Sequence, residues 1–135
     1  MYRLLARLLF VFVIFLSWQA SAQDVQTFEH VSLVALIANP EKYDNHHVGV
    51  EGIAYFDSKN GINGIFLTRE DKENANGQNA VFVVFTASVK NPDQFNNRFV
   101  LVQGRFDAQD KGHLGSFCGT VKDVIRVHAN AIKIK

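Results

Sequence analysis

The pattern Val-x-Val-x-Gly occurs twice in this chain, as Val48-Gly49-Val50-Glu51-Gly52 and as Val100-Leu101-Val102-Gln103-Gly104. Apolar residues two apart share one face of a strand, so each run predicts a half-buried β-strand. The first begins at His47 and continues through Ala54 and Phe56, with His47, Glu51 and Tyr55 on the opposite face. The second runs from Phe99 to Asp107 and carries Phe106 on its apolar side. A glycine inside a strand weakens it unless the strand bends or passes close to another backbone. Two of them at matching positions predict a strongly coiled sheet.

Three further strands follow from the same reasoning. Gly64 to Thr68 returns after the turn chemistry of Asp57 to Gly61, and Ala80 to Thr86 is apolar on both faces, which suits a strand covered on both sides. The last runs from about Phe117 to Val127, where Phe117, Gly119, Val121, Ile125 and Val127 alternate with Thr120, Lys122 and Arg126. Arg69 to Asn79 is charged and amide-rich and reads as a long loop. Ahead of the strands, Leu33, Leu36 and Ile37 lie on one helical face, Ser32 stands as N-cap, and Asn39-Pro40 ends the helix. Asp44-Asn45 then supplies a tight turn. Five short strands bent at matching places predict a mainly β fold: a small closed barrel preceded by one short helix, since closure removes exposed edges.

The first 22 residues have the parts of a cleavable secretion signal: a basic start (Arg3, Arg7), the apolar run Leu8 to Leu16 and the small triplet Ala20-Ser21-Ala22. Leu8 through Trp18 is too short for a membrane span, which needs about 20 residues. Cleavage leaves Gln23 first, with no cysteine there to carry a lipid. The expectation is a soluble periplasmic or secreted protein, with residues 23 to 135 forming one domain. Without Arg3 and Arg7 the 14 basic residues become 12 against 13 acidic ones, and the signs are interspersed. That balance disfavours nucleic acid, which requires clustered Lys and Arg. Cys118 is the only cysteine, so no internal disulfide forms and stability has to come from packing.

The order of a short helix, Pro40-x-Lys42-Tyr43, Val48-x-Val50-x-Gly52 and four further strands resembles small exported bacterial proteins with an OB-fold, whose nearest look-alikes are uncharacterised. The resemblance spans about Ser32 to Val127. Where such relatives have Gly-Lys before the first strand, this chain has Asn45-His46-His47. The OB-like barrel it implies binds ligands across its second and third strands, flanked by the loops joining strands one to two and four to five. Here those loops are Asp57 to Asn63 and Ala108 to Ser116. The second sets Lys111 and His113 among glycines ahead of Phe117.

Candidate ligand-binding residues are therefore Lys111, His113, Phe117, Tyr55, Phe66 and Arg69. His113 could approach a ligand because its flanking glycines permit it, or simply face water in a turn. Tyr55, Phe66 and Phe82 could form a stacking surface for sugars or bases, or pack beneath the helix. Adjacent His46 and His47 point to opposite faces and cannot share one metal in regular strand geometry. Cys118 lies on the register of Thr120 and Lys122, and is expected as a small residue beneath the helix or a loop rather than as a reactive thiol.

No G-x-S-x-G, H-E-x-x-H or Gly-rich phosphate loop is present. The expected function is an extracytoplasmic binding module for a protein or an oligosaccharide or cell-wall ligand, with no cofactor. A hydrolase using Glu51, Asp57, Arg105 and Asp107 is the alternative. A haem carrier is a third, with His128 in the tail but no tyrosine beside it.

Overall fold

Ser32 converts an extended lead into a helix: its hydroxyl accepts the Ala35 N–H at 3.1 Å, and residues Leu33–Ala38 form helix α1. Leu33 and Leu36 are buried, and Asn39-Pro40 diverts the chain into a 3-10 turn. Asn45 follows with φ 63°, the left-handed turn residue expected there. The computed structural model describes residues 26–129. The secretion signal expected at residues 1 to 22 lies outside them. Among the described residues no helix is long and apolar enough to cross a membrane.

The fold is mainly β, with strands β1 (Glu29–Val31), β2 (His47–Asp57), β3 (Ile62–Phe66), β4 (Ala80–Phe85), β5 (Phe99–Asp107) and β6 (Thr120–Ala129). Strand β2 pairs antiparallel with β5 from His47 to Ile53 and antiparallel with β3 from Ile53 to Asp57. Strands β3 and β4 are antiparallel, β4 and β6 parallel, and β6 and β5 antiparallel. The order β2-β3-β4-β6-β5 therefore returns to β2, and β1 lies beside β2 in parallel. Gly52 sits where β2 passes from one partner to the other. A Cβ there would lie 2.3 Å from Ile65 Cγ2 and 2.8 Å from the Phe66 carbonyl oxygen, so the bend needs an absent side chain.

Inside the ring, Val48, Val50, Ala54 and Phe56 of β2 meet Val100, Val102 and Phe106 of β5, as the alternation predicts. Val31, Leu33 and Leu36 join the same core, so α1 packs onto the ring's interior residues. Beyond Phe99 the β2–β5 pairing continues through backbone bonds of Ala54 with Arg98 and Asn97, and then through a side chain. The Asn96 amide accepts the Phe56 N–H at 2.5 Å and donates to the Phe56 carbonyl at 2.7 Å, standing in for a strand backbone.

Five expectations are corrected. There are six strands, because Glu29-His30-Val31 is too short to display a period yet pairs with β2. Residues 69–79 are not a loop throughout. Thr68 caps a one-turn helix α2 (Arg69–Glu73), accepting the Asp71 N–H at 3.0 Å and donating to the Asp71 carboxylate at 2.7 Å. Strand β4 is covered on both sides only in its first half, since Val84 is 42% exposed. In β6 the alternation breaks at Asp123, whose φ is 55°: Val124 turns into the core and Ile125 outward. Thr120, expected outside, is fully buried and donates its hydroxyl to the Asp110 carbonyl at 2.8 Å.

Candidate functional site

On the outer side of β3 and β4, Phe66, Ala80 and Phe82 form a small cluster separate from the main core, and Phe117 covers it. These aromatics pack under the β5–β6 connection and not beneath α1. The Phe117 ring lies 5.2 Å from that of Phe82 and 6.2 Å from that of Phe66. Gly64 makes the approach possible, because a Cβ there would be 2.9 Å from the Phe117 ring.

Backbone bonds fix the connection in place. Cys118 N–H donates to the Ala80 carbonyl at 3.1 Å, Phe82 N–H to the Gly119 carbonyl at 2.9 Å, and Phe117 N–H to the Lys111 carbonyl at 3.0 Å. Gly112 turns the loop with φ 65°, directly against the Phe82 ring. Lys122 holds the base of the loop: its ammonium lies 2.8 Å from Asp107 and 2.9 Å from Asp110. The Lys122 hydrogen bond, with the Asp110 and Gln109 N–H groups, lowers the Asp107 carboxyl to about 2 against partial burial. Lys122 and the Gly112 N–H likewise lower Asp110.

Because the Asp107 pKa is depressed on folding, its stabilisation is present above the unfolded value near 4 and disappears as pH falls through the folded one. Urea unfolding at pH 5 and at pH 2.5 should therefore show a loss of stability that is smaller in Asp107→Asn. An equal loss in both proteins would remove this carboxylate from the acid response.

The loop, the β2–β3 ribbon and the turn after α2 enclose a cleft of about 390 Å³. Its walls are Phe117, His113 and Ser116 from the loop, Tyr55, Ile62 and Phe66 from the strands, and Lys72, Ala75 and Gly77 from the third side. Gly77 is pressed against the Ser116 carbonyl, where a Cβ would be 2.4 Å from the oxygen. The Gln78 amide donates to that same oxygen at 3.2 Å.

Four of the six candidate residues thus meet in one cleft: Tyr55, Phe66, His113 and Phe117. Lys111 and Arg69 do not line it. The Lys111 ammonium donates to the Cys118 carbonyl at 2.8 Å, and the Arg69 guanidinium to the Asn97 carbonyl at 3.1 Å. Lys72, one turn beyond Arg69 on α2, is the cation of the lining; it also donates to the Asn97 side chain. Reading residues 69–79 as a loop concealed it. The spacing Thr68-x-x-Asp71 is a capping signature that marks this helix in the sequence.

The residues of the hydrolase alternative have separate partners: Asp57 accepts from Asn60, Arg105 donates to Asn45 and Asp123, and Asp107 holds Lys122. Glu51 lies 3.6 Å from His30. His46 faces Glu29 at 3.4 Å, and His47 contacts Gln26 at 2.8 Å, so both meet the segment that carries β1. Among the described residues no group of three His, Cys, Asp or Glu stands where it could hold a metal ion.

Burial pushes the Cys118 thiol up to about 11. The thiolate is the reactive form, so Cys118 should react with a disulfide reagent at pH 8 far more slowly when native than in 6 M guanidinium, by about 100-fold or more on protonation alone. Equal rates would place it in open solvent.

These features define a mainly β protein with a cleft built at a strand ring's outer face. A DUF3299 family protein from Pseudomonas aeruginosa PAO1 shares the architecture, with a TM-score of 0.52 at 9% identity over 77% of this chain and 97% of that one. Its family label denotes a domain of unknown function, in keeping with the uncharacterised look-alikes expected. A chain described as an aspartyl-tRNA synthetase from Leishmania major Friedlin aligns at a TM-score of 0.47 and 13% identity over 83% of this chain and 22% of its own, too distant to bear on the fold. No protein-family model matches the sequence, and no curated protein matches it.

Proposed function

We propose that this chain is an exported binding module on an OB-fold barrel, and that it holds a protein or oligosaccharide ligand in the cleft between β3, α2 and the β5–β6 loop, without chemistry. The ring order β2-β3-β4-β6-β5 and its single parallel pair, β4 with β6, support the barrel reading. With β1 and α1 as additions ahead of the barrel, β3 and β4 become its second and third strands, the usual ligand-binding face of such a fold.

One observation carries the site: four side chains from separate parts of the sequence, Tyr55, Phe66, His113 and Phe117, converge on a cleft of binding-site size. Its walls are mainly apolar, with a cation and an imidazole at hand. Apolar surface supplies affinity and the few polar groups orient the ligand.

The neutral fluorescent probe N-phenyl-1-naphthylamine tests the cleft directly. Its emission should rise to saturation at one equivalent and fall several-fold in Phe117→Ala, while the Ile125→Ala control, on the exposed side of β6, leaves it unchanged. Absence of saturable binding would sink the cleft as a site. Export is tested on protein recovered from outside the cytoplasm, whose N-terminal residue should be Gln23; an intact Met1 would refute cleavage.

A further inference from the structure

Resting on the cleft as the ligand site, we infer that its occupant is the C-terminal residue of a peptide chain, with a large apolar side chain held by Ile62, Phe66 and Phe117 and its terminal carboxylate facing Lys72 and His113. The charge of the lining selects an anion. Among the described residues Lys72 is the only cation and His113 the only imidazole in it, and no Asp or Glu contributes. Of the acidic residues close in sequence to Lys72 and His113, Asp71 bonds with Thr68, Asn76 and Asn79 and Asp110 with Lys122, while Glu70 and Glu73 of α2 do not line the cleft.

The interior of the cleft selects the other half of the ligand. No buried side-chain nitrogen or oxygen among the described residues lacks a hydrogen-bond partner, so none of them calls for a polar ligand atom. The aromatic and aliphatic walls are best served by one apolar group. A ligand must therefore be apolar at one end and anionic at the other, as a chain terminus is.

An internal peptide segment fits less well than a terminus. Three segments wall the cleft, from β2 and β3, from the turn after α2 and from the β5–β6 loop. A chain passing through needs two exits between them, whereas a chain end needs one. Lys72 is already oriented by its bond to the Asn97 side chain, and an ammonium has three donors, so it can meet a carboxylate without releasing that partner.

The test uses three probes followed by the resonances of Tyr55, Phe66 and Phe117: N-acetyl-Gly-Gly-Phe as free acid, the same peptide as C-terminal amide, and 3-phenylpropionate. The acid should bind about ten-fold more tightly than the amide, the size expected of one charge-assisted hydrogen bond. Lys72→Gln with His113→Gln should abolish that advantage, bringing acid and amide to one affinity, while the near-ultraviolet circular dichroism of the variant shows that it is folded. Acid and amide binding equally at these residues would overturn the carboxylate assignment and leave the cleft as a site. If 3-phenylpropionate matches the peptide acid, the peptide assignment falls in favour of a free organic acid. Three probes that leave all three rings unmoved would overturn this inference, whereas the binding reading beneath it falls only if N-phenyl-1-naphthylamine also fails to bind.

Discussion

Phe106→Ala should lower unfolding free energy by about 4 kcal/mol, as expected for removing a fully buried aromatic ring. Phe106 has no exposed surface, stands opposite Val121 on β6, and presses on Gly119, where a Cβ would lie 2.4 Å from its ring. Its backbone stays bonded in the variant, donating to the His46 carbonyl at 2.9 Å and accepting from the Asn45 N–H at 2.8 Å. The loss is therefore one of packing and cavity. Domains of this size hold about 5–15 kcal/mol in all, so much of the stability would go. Urea unfolding measures it, and a cost below about 1.5 kcal/mol would mean that the ring is not packed as described.

Gly104→Ala should cost about 3 kcal/mol, because its clash is with backbone and cannot be relieved by a rotamer change. A Cβ at Gly104 would lie 2.4 Å from the Lys122 carbonyl oxygen, 2.9 Å from Val121 Cγ1 and 3.0 Å from Val124 Cγ2. The β5–β6 register shifts between Gln103 and Arg105, opposite the left-handed Asp123, so β6 wraps over this position. A methyl group there must lift the bulge from β5. Gly61→Ala is the comparison: no atom lies within 4 Å of its Cβ position, and only the φ of 69° opposes it. That substitution should cost about 1 kcal/mol, the penalty of left-handed backbone alone. Equal costs at the two positions would show that Gly104 is not crowded by β6.

What could be read in advance followed period and punctuation. The inward faces of β2 and β5 were legible because Val48, Val50, Val100 and Val102 alternate strictly, and α1 because Ser32 and Asn39-Pro40 bracket it. In β6 the period fails at Thr120, whose buried hydroxyl bonds the Asp110 carbonyl, and at the left-handed Asp123, which turns Val124 inward and Ile125 outward before Arg126 and Val127 resume the expected faces. β1 escaped because three residues cannot show alternation.

The cleft was half legible for a related reason. Glycine-flanked His113 and Phe117 announced a loop lying over the β3–β4 face, and the aromatic residues beneath it were visible. Its third wall depends on the chain reversal after α2, where Gly77 meets Ser116, a contact between residues 39 apart in sequence. Lys111 and Arg69 are the cations that sequence position places near the site, but each is drawn to a backbone carbonyl. Lys72 takes their place in the lining.

A nuclear Overhauser spectrum of the folded protein tests the architecture most directly. The closed strand ring requires methyl contacts between Val50 and Val102, which stand opposite each other on β2 and β5. The folded-over loop requires contacts between the Gly64 α protons and the Phe117 ring. Observing both sets would establish the ring and its cleft together; silence between Val50 and Val102, with each showing contacts to other core methyls, would contradict closure.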